Sequence, residues 1–238
     1  MSKPGNKLSK KASRIDVNAF LEKIQKLPVA RSDMKRGRLI FGIDATASRE
    51  PLWDQACHIQ SEMFQETVSL GGLNIQLVYY KGFMEFVATP WANNATNLLS
   101  HMTTIRCSAG QTQIARVIKH AISEAKLGSV QALIFIGDAM EENPDILNNL
   151  AGQLGILHVP IMMFQDGYDS VVERAFRDIA RLSNGAYCQF DSSSAEKLKE
   201  LLCAVAVFVA GGHKELTKYS KTRGALVKQL THQLSPHR

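Results

Sequence analysis

The 238-residue chain has no long apolar run and no closely paired cysteines. Its longest apolar stretch, residues 201–210, is about half the ~20 residues that a membrane-spanning helix needs. The amino terminus is basic but has no apolar core behind it, so it lacks the pattern of a secretory signal. The four cysteines show no C-x-x-C spacing, which in a chain without secretion predicts reduced, mostly buried thiols. We therefore expect a soluble, cytoplasmic protein.

Catalytic signatures are also missing from the sequence. It contains no Ser/His/Asp or Cys/His constellation and no glycine-rich phosphate-binding loop. The seven histidines are scattered, and no two of them have the H-x-x-x-H spacing of metal ligands on a helix. We therefore expect that the protein is not an enzyme.

Charge is concentrated at the two ends of the chain. The net charge is +6. Residues 1–16 carry five basic side chains and one acidic one, and residues 213–238 carry six basic and one acidic. The stretch between them is therefore net negative. Basic ends of this kind are either solubilising tails or arms that bind nucleic acid, but no nucleic-acid-binding motif accompanies them.

The sequence divides into four regions. They are a disordered basic arm (1–14), a short amphipathic helix with its linker (15–36), one folded domain (37–210) and a basic C-terminal helix or tail (211–238). Apolar residues between 216 and 234 alternate with basic ones. This last stretch either docks on a partner or an anionic surface, or packs back on the domain.

Strands alternate with helices through the domain, which indicates a doubly wound α/β sheet. Strands are predicted at 38–44, 74–80, 83–88, 130–137, 159–164 and 185–190, and helices at 51–70, 94–104, 113–126, 144–157, 169–182 and 194–209. Only a tight turn at Lys81-Gly82 separates the second and third strands, and a turn this short permits only antiparallel pairing. One edge strand should therefore run against the others.

Three oxygen-bearing side chains follow the first strand at alternate positions, namely Asp44, Thr46 and Ser48. A carboxylate and two hydroxyls on a tight loop suit a small hard cation such as Mg²⁺, which prefers oxygen ligands and keeps several waters. The alternative is a plain strand-to-helix turn in which Asp44 or Ser48 caps the next helix.

Two further polar residues are predicted at the same edge of the sheet. Thr112 ends the turn Cys107-Ser-Ala-Gly-Gln-Thr112 at the start of a helix, and Asp138 directly follows a buried strand. In open parallel sheets, ligands bind beyond the carboxyl ends of the strands, where the strand order reverses. The neighbouring Glu141 and Glu142 are expected in a solvated first turn near Pro144, or else at the rim of the site.

This constellation resembles the metal-ion-dependent adhesion site of von Willebrand factor A (VWA) domains, which is D-x-S-x-S, a distant Thr after a Gly-containing turn, and an Asp at the end of the next central strand. The resemblance covers roughly residues 37–210. It implies a Rossmann-like, mostly parallel six-stranded sheet with helices on both faces. Thr46 stands where the family usually has Ser, which keeps the hydroxyl but stiffens the side chain.

The resemblance also implies a function. Asp44, Thr46, Ser48, Thr112 and Asp138 would hold Mg²⁺ (or Mn²⁺ or Ca²⁺), and an open position on the ion would accept an Asp or Glu side chain from a partner protein. Two alternatives remain open. One is a nucleic-acid-associated scaffold that uses the basic ends. The other is a divergent phosphoryl-transfer enzyme, because Asp44 and Thr46 loosely resemble the D-x-D-x-T motif of haloacid-dehalogenase-type phosphatases, although the second Asp is missing.

Overall fold

The structure, a computed structural model, describes residues 36–46, 56, 59, 62–190 and 195–235. The predicted basic arm (1–14), the predicted helix of the 15–36 region and Ser48 lie outside the described residues, as does Cys57.

Six strands form one sheet. They are β1 (Gly37–Asp44), β2 (Leu73–Lys81), β3 (Glu85–Ala88), β4 (Ala132–Gly137), β5 (Ile161–Asp166) and β6 (Ala186–Phe190). Their order across the sheet is β3-β2-β1-β4-β5-β6, and every neighbouring pair is parallel except β2 and β3. The predicted sheet is thereby confirmed, including its antiparallel edge strand next to the tight turn.

Helices cover both faces of the sheet. They are α1 (Ala95–Met102), α2 (Ile114–Leu127), α3 (Pro144–Ile156), α4 (Ser170–Leu182), α5 (Ala195–Ser220) and α6 (Ala225–Gln233). Residues 62–67 are also helical and run into a 3-10 turn at Val68–Leu70. One face packs on α2, α3 and α4, and the other packs on the 62–67 segment, α1, α5 and α6.

The two faces divide the side chains of each strand by alternation. In β1, Leu39, Phe41 and Ile43 join the core on the α5 face, and Ile40 joins the core on the α2 face. All four are fully buried. Because side chains alternate along a strand, Asp44 at the end of β1 belongs to the α2 face.

The C-terminal segment (211–235 in the described residues) packs on the domain. This is one of the two arrangements that the sequence allowed, the other being docking on a partner or an anionic surface. The predicted domain end at residue 210 falls inside α5, which breaks at Gly212 (φ 71°, ψ −173°) and then continues. Beyond the break, Leu216, Val227 and Leu230 are fully buried in the core on the α5 face. The C-terminal helices therefore contribute directly to the hydrophobic core.

Within the described part of the chain, no helix is long and apolar enough to cross a bilayer. Cys188 and Cys203 are buried and Cys107 is half-buried, and all three are free thiols. The pattern agrees with the expectation of reduced cysteines for these three positions.

Candidate functional site

The turn after β1 holds the first two predicted site residues. Asp44 is buried, with 1% of its surface exposed, and its Oδ1 accepts a hydrogen bond from the Thr46 amide (2.8 Å). The Ala45 amide donates to the Tyr80 carbonyl (3.0 Å), so the turn continues the pairing of β1 with β2. Asp44 and Thr46 are thereby fixed at the carboxyl edge of the sheet.

The loop that carries Thr112 packs on this turn and on the β2–β3 hairpin. The Ser108 amide donates to the Ala45 carbonyl (3.1 Å), and the Gln111 amide donates to the Gly82 carbonyl (3.2 Å). Gly110 lies so close to Gly82 that a Cβ on Gly110 would overlap the Gly82 carbonyl oxygen. This close approach explains why a glycine stands next to the candidate ligand Thr112.

Glu141 joins the Thr112 loop to the segment after β4. Glu141 Oε2 accepts from the Thr112 amide (3.1 Å), and Thr112 Oγ1 accepts from the Glu141 amide (3.0 Å). These reciprocal bonds fix Thr112 beside the end of β4. They also leave Thr112 Oγ1 a second lone pair, since a hydroxyl oxygen has two.

Glu142 caps α2. Its carboxylate accepts from the amides of Ile114 (2.6 Å) and Ala115 (2.8 Å). A carboxylate is favoured at the start of a helix because the first N–H groups have no partner within the helix and the helix dipole is positive there. Glu141 is exposed and lines the cavity, and Glu142 is half-buried in the turn before α3, so the expected turn is present and Glu141 also takes the alternative place at the rim. What the expectation lacked is that both carboxylates bind backbone N–H groups of the Thr112 loop and α2.

Four of the five predicted site residues line one cavity of about 260 Å³. Asp44, Thr46, Thr112 and Asp138 share its wall with Ala109, Gly110, Ala139 and Glu141. The cavity lies beyond the carboxyl ends of β1 and β4, and the strand order reverses between these two strands. A ligand is expected at such a switch point. The fifth residue, Ser48, is outside the described residues.

Burial raises the pKa of Asp44, and the hydrogen bonds from Thr46 partly oppose this effect. The negative charge of Asp138 raises the pKa of Asp44 further. Both raising effects have the same physical meaning: the ionised form of Asp44 is disfavoured by the loss of water and by a neighbouring like charge. A positive charge in the cavity would reverse this penalty.

Sequence reasoning missed Tyr80, which lies beside Asp44 in the register of β1 and β2. Its hydroxyl is buried and lies near the Asp44 carboxylate and the Gln113 backbone, but it forms no hydrogen bond of good geometry with the described residues. Burial, and then the charge of Asp44, raise the pKa of Tyr80 well above its usual value, so the side chain stays neutral. The pairing of two parallel strands is the signal that would have indicated this residue, because it aligns Tyr80 with Asp44.

The donor set fits a hard divalent cation that keeps water ligands. The predicted ligands on the cavity wall are two carboxylates and two hydroxyls, and Mg²⁺ is commonly held by one or two carboxylates together with waters. Over the described residues, no three or more His, Cys, Asp or Glu side chains are grouped so as to hold a metal ion. A metal centre built from three or more such side chains is therefore absent from that part of the chain, and the predicted ligands on the cavity wall differ from it because two of the four are hydroxyls.

No protein-family model matches the chain, and no curated protein sequence matches it. Solved structures share its fold. A von Willebrand factor type A structure from Catenulispora acidiphila has a TM-score of 0.57 at 15% identity and covers 73% of this chain and 43% of its own. The SpRpn10 VWA domain has a TM-score of 0.54 at 14% identity, with 72% of this chain and 95% of its own covered.

The human COPII-coat protein Sec24c has a TM-score of 0.55 at 14% identity and covers 74% of this chain and 32% of its own. The chain thus spans less than half of the Catenulispora and Sec24c structures. At these identities the likeness concerns the fold alone, and the shared fold is VWA-like.

Proposed function

We propose that the protein is a metal-dependent protein-interaction module. It binds an Asp or Glu side chain of a partner protein through a divalent cation, and we expect this cation to be Mg²⁺. The observation that carries this proposal is the shared cavity of Asp44, Thr46, Thr112 and Asp138 at the switch point of the sheet. Ser48 completes the proposed ligand set from the sequence motif.

Each side chain has a distinct role in the proposed site. Thr46, Ser48 and Thr112 supply neutral hydroxyl oxygens, and Asp44 and Asp138 supply the negative charge that attracts the cation. The two carboxylates balance the +2 charge of a divalent ion and add no excess negative charge. Neutral oxygens fill the remaining ligand positions. When bound, the cation supplies a position at which a partner's carboxylate replaces a water molecule.

Glu141 and Glu142 support the loop in this proposal. Their carboxylates are bound to the amides of Thr112, Ile114 and Ala115. They therefore hold Thr112 and the start of α2 against the end of β4. Because both oxygens of the Glu142 carboxylate accept hydrogen bonds at the start of α2, we assign Glu142 no direct part in binding the cation.

The substitution Asp44→Asn tests the metal site by two opposite effects. In EDTA the variant should unfold at a higher temperature than the wild type, because it removes a buried charge whose ionised form is disfavoured. With Mg²⁺ at 100 times its Kd, the wild type should gain about 2.7 kcal/mol, or roughly 5–10 °C. The variant should gain almost nothing. Differential scanning fluorimetry and calorimetric titration measure both effects.

Asp178→Asn is the matched control, because it makes the same chemical change far from the cavity. Asp178 lies on α4 and forms a surface ion pair with Arg181 (3.1 Å). This control should keep the full response to Mg²⁺. A Mg²⁺ response of Asp44→Asn equal to that of the wild type would rule out the proposed site.

The proposal includes no catalytic step. The described residues that line the cavity include no histidine, the residue that general acid–base catalysis uses most often, and the proposal assigns the carboxylates of Asp44 and Asp138 to binding the cation. We expect no hydrolysis of p-nitrophenyl phosphate by the Mg²⁺-loaded protein. Turnover that disappears in Asp44→Asn would instead identify a phosphoryl-transfer enzyme.

A further inference from the structure

The turn between β2 and β3 presents two large apolar side chains to solvent. We define the hairpin tip as residues 82–84, of which Phe83 is 71% exposed and Met84 is 80% exposed. Gly82 has φ 58°, a left-handed conformation that glycine adopts without strain. Tight turns are usually built from Gly, Asn, Asp, Ser and Pro. Consecutive Phe and Met at such a tip are therefore not explained by the geometry of the turn.

The hairpin tip is attached to the wall of the cavity. Gly82 contacts Gly110, and its carbonyl accepts from the Gln111 amide (3.2 Å). The Met84 carbonyl accepts from Arg116 Nη1 (2.8 Å), and the next carbonyl, that of Glu85, accepts from Gln113 Nε2 (3.4 Å). These contacts reach both sides of Thr112 along the chain. The exposed apolar side chains are thus held at a fixed position beside the candidate cation site.

Single exposed apolar residues are common on protein surfaces and need no explanation. Phe83 and Met84 differ from that background because they are adjacent, because they stand on a braced turn, and because that turn borders the cavity. Aromatic residues and methionine are enriched in protein–protein interfaces relative to the rest of the protein surface. Gly110, which lines the cavity, contacts Gly82, so the tip lies next to one wall of the cavity.

We infer that the hairpin tip is the second half of the binding surface, and that the partner segment carries an acidic residue with a bulky apolar residue close to it in sequence. This inference rests on the proposed metal-dependent function. The carboxylate enters the cavity, and the apolar side chain packs on Phe83 and Met84. The cation in the cavity thus requires a carboxylate on the partner, and the hairpin tip determines which carboxylate-bearing segments bind.

The test uses a random peptide library displayed on phage. The library is bound to the immobilised full-length protein in Mg²⁺ and eluted with EDTA. The eluted peptides should share an Asp or Glu with a Leu, Ile, Phe, Met or Trp within a few positions. For synthetic copies of these peptides, the double variant Phe83→Ser/Met84→Ser should lower the affinity at least tenfold. The affinity of this variant for Mg²⁺ alone should equal that of the wild type.

The control is Leu127→Ser/Ile156→Ser. These side chains are 83% and 79% exposed and lie at the ends of α2 and α3, at the opposite edge of the sheet. Peptide affinity should not change in this variant. An equal loss in both double variants would overturn the inference, because it would indicate non-specific apolar adhesion.

Two other outcomes separate the inference from the proposed function. Mg²⁺-dependent peptides whose affinity is unchanged in Phe83→Ser/Met84→Ser would overturn the role of the hairpin tip and leave the metal-dependent site standing. Failure to recover any peptide that needs Mg²⁺, or peptide binding that survives Asp44→Asn, would overturn the proposed function and the inference together.

Discussion

Asp44 and Tyr80 are neighbouring buried side chains that lower the free energy of unfolding when no ligand is bound. The two residues are aligned across the parallel strands β1 and β2, and both are buried. One is a carboxylate whose ionised form is disfavoured, and the other carries a hydroxyl that lies near this carboxylate without a hydrogen bond of good geometry. Buried groups of this kind reduce stability and are retained most often where they serve a function.

Tyr80→Phe should stabilise the protein in EDTA. The substitution removes a buried hydroxyl that forms no hydrogen bond of good geometry and leaves the ring, which stacks near Phe135 (6.3 Å between centroids). We expect the free energy of unfolding to rise by about 1 kcal/mol, since an unsatisfied buried polar group costs about that much or more. Urea denaturation measures the change. Tyr168→Phe is the control, because Tyr168 is 75% exposed and should have no effect.

A lower free energy of unfolding for Tyr80→Phe would contradict this prediction. It would mean that the hydroxyl forms a favourable hydrogen bond in solution, with Asp44 as the nearest candidate acceptor.

At the scale of elements, the Thr112 loop depends on contacts with three separate parts of the fold. It bonds to the turn after β1, to the β2–β3 hairpin and to the segment after β4. Gly110 is the point of closest approach, because its backbone contacts the backbone of Gly82. The position of Thr112 is therefore set by packing between loops, which makes it sensitive to a single added methyl group.

Gly110→Ala should separate the Thr112 loop from the hairpin. The new Cβ would overlap the Gly82 backbone, which cannot move aside as a flexible side chain could. We expect a loss of about 1–3 kcal/mol in the free energy of unfolding, the usual cost of overpacking. Calorimetric titration should also show Mg²⁺ affinity reduced at least tenfold.

The matched control for Gly110→Ala is Gly152→Ala in α3. A methyl group added at Gly152 would meet no atom within 4 Å beyond the backbone of its own helix, and alanine is the better helix former by about 1 kcal/mol. The control should therefore unfold at a slightly higher urea concentration and bind Mg²⁺ as the wild type does. Normal Mg²⁺ binding by Gly110→Ala would show that the position of Thr112 does not govern the site.

At the scale of the whole molecule, the chain beyond residue 210 completes the domain. Leu216, Val227 and Leu230 are buried in the same cluster as β1 and α5. The Gln233 side chain, on α6, pairs with both backbone groups of Tyr187 in the edge strand β6, at 2.8 Å to the amide and 2.9 Å to the carbonyl. The segment thus closes one face of the core and occupies part of an otherwise open sheet edge.

Leu230→Ala should destabilise the entire domain. The side chain is fully buried, and removing a buried leucine costs about 2–5 kcal/mol. We expect one cooperative urea transition, shifted to lower concentration, when it is followed by circular dichroism and by tryptophan fluorescence. Leu127→Ala, at a site that is 83% exposed, should change the free energy of unfolding by less than about 0.5 kcal/mol.

Two transitions for Leu230→Ala, with the sheet unaffected in the first, would contradict this view. They would indicate that α6 unfolds separately and that the C-terminal segment is an appendage of the domain.

The sheet was predictable from the chain because its signals are local. The apolar runs of β1 and β4 are typical of buried parallel strands, and a short turn, predicted at Lys81-Gly82 and observed at residues 82–84, permits only an antiparallel neighbour. Asp44, Thr46, Thr112 and Asp138 were also predictable as neighbours, because the carboxyl ends of parallel strands share one edge. The resemblance to VWA domains agrees with the observed fold.

Contacts between distant loops were not predictable in the same way. Glu141 and Glu142 follow a strand and precede Pro144, which is the local pattern of a solvated turn. Their hydrogen bonds to residues 112–115 span 27 to 29 positions of the chain and exist only once α2 lies beside β4. The helix predicted at 194–209 does end near Gly212, where glycine locally favours a helix end. That the helical segment after Gly212 packs on the domain depends on the burial of Leu216, which is a tertiary contact.

The sequence by itself determined the order of strands and helices and the polar residues at their ends, because hydrophobic alternation and turn chemistry act over a few neighbouring residues. Tertiary structure alone decided how deeply Asp44 is buried, what the two glutamates bind, and that Phe83 and Met84 stand beside the cavity. Those properties depend on which loops meet at the edge of the sheet, and no short stretch of the chain contains that information.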